Sequence, residues 1–295
     1  MTSDRTRYRL AIFYAVLAAA LYALSMPFSK LLLRDVAPLM MAAFLYIGAG
    51  LGMCLLNVSR RCLRVPNHEQ RLSRKDLPYT VAMVVLDIAA PIFLMFGLRS
   101  TTAANASLLN NFEIVATALI AMLFFKEKVG KRLWVAIALV TAASILLTVN
   151  DTSSLSFSYG SLLVIAACVC WGLENNCTRN IADKDPMEIV TVKGFGSGIG
   201  ALCIAFVAGE TLPQWKPLVF VLLLGFVAYG LSIFFYTYAQ RTIGAAKTST
   251  YYAVAPFIGV LLSFAILGEK PNLIFVIALA IMLIGTYLAA TERHE

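Results

Sequence analysis

RSTTAANASLLNNFEIVATALIAMLFFKEK, residues Arg99–Lys128, returns in weakened form at Arg241–Lys270 as RTIGAAKTSTYYAVAPFIGVLLSFAILGEK, 142 residues later and without a gap. Seven of the thirty aligned positions are identical: Arg99/Arg241, Ala103/Ala245, Ala104/Ala246, Ser107/Ser249, Leu119/Leu261, Glu127/Glu269 and Lys128/Lys270. Alanine and leucine matches are common in apolar sequence. The weight rests on Arg with Ala-Ala at one end and Glu-Lys at the other, all keeping their spacing. The chain reads as a duplication.

Composition sets the environment. The 295 residues are 60% hydrophobic and 14% charged, outside the range of ordinary soluble domains. Nearly the whole chain divides into apolar runs of the length a helix needs to cross a bilayer, so a polytopic helical bundle is expected, with little left for a soluble domain. The net charge of +8 does not point to nucleic acid, because the basic residues sit between apolar runs and not on one polar face. Most of the six cysteines lie inside apolar runs without a C-x-x-C pair, and read as small hydrophobes. The basic segment before the first run resembles a signal-peptide flank, but that run is too long for an h-region and no small-residue cleavage site closes it, so a retained helix is expected.

Ten spans follow, near 10–33, 38–58, 77–97, 102–125, 133–149, 160–181, 187–208, 218–239, 245–267 and 273–290. Placing the N-terminus in the cytoplasm puts eighteen basic residues inside and five outside, with Lys193 left within a span. The positive-inside rule then puts both termini in the cytoplasm, in the cell's inner (plasma) membrane. With five spans per copy, residues 1–150 form one unit and 151–295 a second that enters the membrane from the other side, with Ser153–Ser158 as a polar seam. Looser matches agree: Ala15–Leu24 with Val164–Leu173, and Gly48–Gly52 with Gly196–Gly200. Inverted repeats of this kind are used by many secondary carriers to open a central site to either side in turn. Duplication as a mere economy in building a bundle is the alternative.

The ten spans, the five-plus-five repeat, the Trp171-Gly172 pair in span six and Glu-Lys after spans four and nine together resemble the EamA-type branch of the drug/metabolite transporter superfamily over essentially the whole chain. Span one carries Tyr22-Ala23 where its partner has Trp171-Gly172, a mild departure. The resemblance implies a central cavity lined by spans one, three, four, six, eight and nine, and export more often than uptake.

Charged residues at mid-membrane are costly and mark candidate sites. Asp87, Glu113, Glu174 and Lys193 qualify, and sum to −2 if all are ionised. On span four, Ser107, Asn110, Glu113 and Thr117 share one helical face and Asn111 adjoins it, facing a cavity or another helix. Trp171, Glu174 and Thr178 share a face of span six. Glu174 either pairs with Lys193 as a structural bridge or clamps a zwitterion with it, and Lys193 also lies near enough to the cytoplasmic edge to snorkel. Asp87, one turn before Pro91, could accept a cation or cap the helix. Pro27 and Pro256 are expected to loosen spans one and nine. Tyr22, Tyr251 and Tyr252 are candidate contacts, Tyr252 because it aligns with Asn110; Tyr236 and Tyr238 read as interfacial anchors.

Gly196–Ala201 matches G-x-G-x-x-A, but it lies within an apolar helix with no strand before it, and close helix packing accounts for it. No nucleophile–base pair or metal-ligand pattern appears, so an enzyme is not expected. The expected activity is alternating-access transport of a small amphipathic, zwitterionic or cationic metabolite such as an amino acid or amine, as a monomer or weak homodimer. It would need no cofactor, with coupling to protons or a counter-substrate. Organophosphate or nucleotide-sugar exchange is the nearest alternative, and would call for clustered central cations. A non-transporting structural protein is the other.

Overall fold

A computed structural model describes residues 2–63, 69–126, 130–151, 156–181, 183–243, 248 and 251–291. Glu127, Lys128, Ala245, Ala246 and Ser249 of the repeated stretch lie outside these. Among the described residues, nine helical segments are long and apolar enough to cross a membrane. In chain order they are helices one (Thr6–Leu32), two (Pro38–Arg60), three (Arg74–Ser100), four (Ala103–Phe124), five (Lys131–Thr148), six (Tyr159–Ile181), seven (Pro186–Val207), eight (Trp215–Gln240) and ten (Leu273–Ala290). Helix nine, Ala255–Leu267, is apolar but has only 13 residues. The sequence predicts a longer ninth span. Pro256 explains part of the difference: the backbone turns at Ala253 and Val254, between the helical Tyr251-Tyr252 pair and the helix proper.

The helix starts are capped as their sequences dictate. Thr102 Oγ1 accepts from Asn105 N at 3.1 Å, the Asp185 carboxylate from Met187 N at 2.9 Å, and Asn272 Oδ1 from Phe275 N at 2.7 Å. The start of helix two, and again that of helix four, is capped from distant sequence. Glu210 accepts from Leu39 N at 3.3 Å and Met40 N at 2.8 Å, and Glu269 from Ala103 N and Ala104 N, both at 2.8 Å. A carboxylate there meets N–H groups that have no helical partner and the positive end of the helix dipole. Ala-Ala and Glu-Lys, the two ends of the duplicated stretch, therefore meet across the halves: Glu269 of the second copy caps Ala103-Ala104 of the first.

Three helices are interrupted near their middles. Helix one turns at Leu24, three residues before Pro27, and helix eight carries a π-helical segment at Gly225–Leu231. Helix four turns at Asn110 and Asn111, where Glu113 N bonds to Asn110 O and Ile114 N to Asn111 O at three-residue spacing. The break in helix one agrees with its proline. Those in helices four and eight have no proline to signal them.

Helix two packs along helix seven, three along six, five along ten and one along eight, while helix four touches helix nine with its first half and helix six with its second. Helices two and seven come close enough that a Cβ on Gly194 would fall 2.5 Å from Gly50 N and 2.8 Å from Tyr46 O. The glycine-rich segments thus act as packing surfaces, as expected of small residues in membrane helices. Between the halves, Val149–Asp151 pairs antiparallel with Ser156–Phe157, a short ladder that the sequence did not announce. Large apolar side chains such as Leu55, Phe124 and Val207 point outward, and the interior holds the buried polar residues described next.

Candidate functional site

Three helices bring one ammonium to two carboxylates. Lys193 Nζ of helix seven lies 3.0 Å from Asp87 Oδ2 of helix three and 3.0 Å from Glu174 Oε1 of helix six. The carboxylate side chains are 0% and 3% exposed and that of the lysine 14%. Each acid has a second partner. Tyr46 OH donates to Asp87 Oδ1 at 2.9 Å, and Thr178, one turn beyond Glu174, donates to Glu174 Oε1. Trp171 Nε1 in turn reaches Tyr46 OH at 3.5 Å. Burying charge in an apolar bundle is costly unless it is paired and hydrogen-bonded, and this group meets both conditions.

The Glu174–Lys193 bridge is therefore formed, with Asp87 as a third member. The snorkelling alternative does not describe Lys193, whose ammonium turns to the two acids. Asp87 likewise does not cap the backbone near Pro91: helix three runs unbroken through that proline, and the carboxylate serves the lysine and Tyr46.

Helix six also reaches a third acid. Asn175 Nδ2 donates to Glu113 Oε1 at 2.7 Å and to Thr117 Oγ1 at 3.3 Å, while Asn176 Nδ2 bonds to Thr117 O and Gly172 O. Among the described residues no cation lies within ion-pair distance of Glu113. One turn earlier, Asn110 Nδ2 donates to Tyr22 OH at 3.3 Å. Tyr22 is the middle member of a run of tyrosine rings. Tyr46–Tyr229, Tyr229–Tyr22, Tyr22–Tyr252 and Tyr252–Tyr236 have centroids 5.5, 5.8, 6.0 and 5.0 Å apart, linking helices two, eight and one with the turn before helix nine. The buried hydroxyls of Ser25 and Tyr229 lie together in the same region.

The expected single polar face of helix four does not survive its break. Asn110, Glu113 and Thr117 face helices one and six. Ser107 instead lies against helix nine, its Oγ 2.8 Å from where a Cβ on Gly259 would sit. Asn111 turns to helix ten, accepting from Thr286 Oγ1 at 3.0 Å and donating to its own Leu108 O at 2.9 Å. Asn111 is thus engaged between helices and stands apart from the group around Glu113. Tyr251 shares a turn with Tyr252, but no ring contact among the described residues joins it to the others. Tyr236 packs edge-on against Tyr252 and ends the run of rings, whereas Tyr238 is half exposed and packs edge-on against Tyr14.

Sequence reasoning missed Tyr46, the hydrogen-bond donor to Asp87, and Asn175, the donor to Glu113. A polar aromatic inside apolar span two was the available signal for the first. For the second it was adjacency to Glu174. Chemically, buried acids in excess over a single lysine, next to tyrosine faces, suit a cation or the ammonium end of a larger molecule.

A bundle of apolar helices enclosing such a polar group defines a multi-pass membrane protein with an internal site. The chain belongs to the EamA-like transporter family, whose pattern matches residues 9–149 and again 158–291. Its relatives carry transporter names. It is 26% identical over 289 residues to an uncharacterized transporter of Methanothermobacter thermautotrophicus, covering 92% of this chain and 84% of that one. With the uncharacterized transporter YyaM of Bacillus subtilis it shares 22% identity over 237 residues, 75% of each. A crystal structure at 18% identity superposes with a TM-score of 0.68 over 95% of both chains, which speaks for the fold. The protein is thus a membrane transporter by family.

Proposed function

We propose that the protein is a secondary active transporter, working as an exporter in the inner membrane, that carries a small amphipathic, zwitterionic or cationic metabolite such as an amino acid or amine. The observation that carries this reading is the charge inventory of the site: Asp87 and Glu174 hold one lysine, Glu113 on the adjoining helix is held by the Asn175 amide, and tyrosines border the group. An incoming ammonium would offset part of the net negative charge, and aromatic faces add attraction for cations. An organophosphate reading would need free central cations, and Lys193 is already engaged by two acids.

In this account residues 1–150 and 151–295 are two oppositely oriented five-helix units, with both termini in the cytoplasm, that rock around the central site. Three observations support it. The family pattern matches each half separately. Helices two and seven, four and nine, and five and ten pair with their own counterparts, and three–six mirrors eight–one. The two ends of the bundle also differ. A cavity of about 290 Å³ opens where Arg60, Asp185, Met187, Phe234 and Tyr238 converge. At the other end, Glu210 and Glu269 cap helices two and four, and Lys30 Nζ donates to Leu98 O and Thr101 O, both at 2.6 Å. In this reading the end that carries the cavity is the cytoplasmic one, by its basic residues. Coupling to protons or a counter-substrate, and a monomer or weak homodimer, complete the account.

A thermal-shift screen of purified protein against amino acids, alkylamines and phosphate monoesters tests the substrate class, because a ligand that binds the native state raises the unfolding temperature. Amines or amino acids are expected to stabilise the wild type, and Glu113→Gln to lose that response. Stabilisation by phosphate monoesters alone would overturn the reading.

A further inference from the structure

The group around Lys193 has a feature that a plain structural bridge does not need. Both acids keep a partner independent of the lysine: Tyr46 OH on Asp87 and Thr178 Oγ1 on Glu174. Their positions would survive departure of the ammonium. The lysine's own anchorage is at its backbone, where the neighbouring Gly194 is pressed against Gly50 and the Tyr46 carbonyl. Its head is a compact charge on four rotatable methylenes, which another ammonium can replace without changing the charge of the site, as the rigid fork of an arginine could not.

We propose that Asp87 and Glu174 form a binding site for a primary ammonium, that Lys193 is its resident occupant, and that the ammonium of the cargo takes the lysine's place during transport. The swap keeps a cation beside both acids, sparing the several kcal/mol that a buried acid without a counter-charge costs, and the displaced Lys193 ammonium is balanced by Glu113, which no cation pairs among the described residues. It also gives cargo a mechanical effect. The lysine ties helix seven, and through Gly194 helix two, to helices three and six; the arriving ammonium releases that tie. Selectivity follows from the geometry: two acids 3.0 Å from one nitrogen call for at least two N–H donors, so primary ammonium ions qualify and quaternary ones do not. This rests on the transport reading above for its cargo, but not for the existence of the site.

The test removes the occupant and offers a substitute. Lys193→Ala, purified in detergent, is titrated with n-butylammonium, which supplies a primary ammonium on a linear alkyl stem, and in parallel with tetramethylammonium, which has no N–H. The expected result is an unfolding temperature below that of the wild type, rising by about 5 °C with saturating n-butylammonium and unmoved by tetramethylammonium. Adding Asp87→Asn should abolish the rise. Equal responses to both ions, or none to either, overturn the proposal. Should Lys193→Ala fail to fold, the wild type serves: n-butylammonium should increase acylation of Lys193 by an amine-reactive reagent at least twofold by peptide mass spectrometry, and unchanged acylation overturns it. Wild-type liposomes that move no amine, combined with a positive rescue, would refute the transport reading while leaving the ammonium site standing.

Discussion

At the scale of single residues, Glu113 and Tyr46 separate binding from support. Glu113→Gln keeps an oxygen for the Asn175 amide to donate to, and so should fold normally. It removes the charge, and losing a buried charged partner costs about 2–5 kcal/mol of interaction with a cation. Uptake of a labelled amine into liposomes is therefore expected to fall by at least about thirtyfold, with the unfolding temperature of the empty protein little changed. Tyr46→Phe removes the hydroxyl that donates to Asp87. Polar contacts between membrane helices are worth about 1 kcal/mol, so a loss of stability of that order is expected in a reversible unfolding measurement. The four charged members of this site were legible because charge inside apolar sequence is conspicuous. Tyr46, Tyr229 and Tyr236 were not, since tyrosine in a membrane helix serves equally at an interface, and only the packing of helices one, two and eight puts these rings in one run.

At the scale of elements, the capped helix starts carry the repeated signature. Glu127/Glu269 and the paired alanines stood out in sequence as identities without a mechanism. The Glu269 carboxylate on Ala103 N and Ala104 N supplies one, because a carboxylate spanning two first-turn amides satisfies donors the helix cannot. Glu269→Gln keeps an acceptor but loses the charge and one of the two oxygens, an effect of about 1 kcal/mol. Hydrogen exchange at the amides of Ala103 and Ala104 should quicken about fivefold, while that of helices five and ten stays as it was. Glycine contacts are a harsher constraint. A Cβ on Gly48 would fall 2.2 Å from Leu222 O, backbone that has no rotamer with which to yield. Gly48→Ala is expected to cost about 1–3 kcal/mol by overpacking, read from denaturant unfolding. The breaks in helices four and eight escaped the sequence because Asn110-Asn111 and Gly225–Leu231 keep helical spacing of apolar residues on both sides. The polar face of helix four was consequently drawn too long: Ser107 and Asn111 belong to contacts with helices nine and ten.

At the scale of the whole molecule, the number of apolar segments and the duplication were readable from hydropathy and from one thirty-residue echo, because each segment must satisfy its own backbone in lipid. Which segments touch was not readable, since apolar faces carry no partner label; the exchange of helices between halves came from packing. The account holds that the two halves move around a central acidic site that accepts an ammonium. Its most direct test is counterflow in liposomes preloaded with an unlabelled amino acid or alkylamine. Wild-type protein should concentrate the labelled compound transiently, Glu113→Gln should not, and phosphate monoesters should not compete. No counterflow of any amino acid or amine by the wild type, or undiminished counterflow by Glu113→Gln, would contradict it.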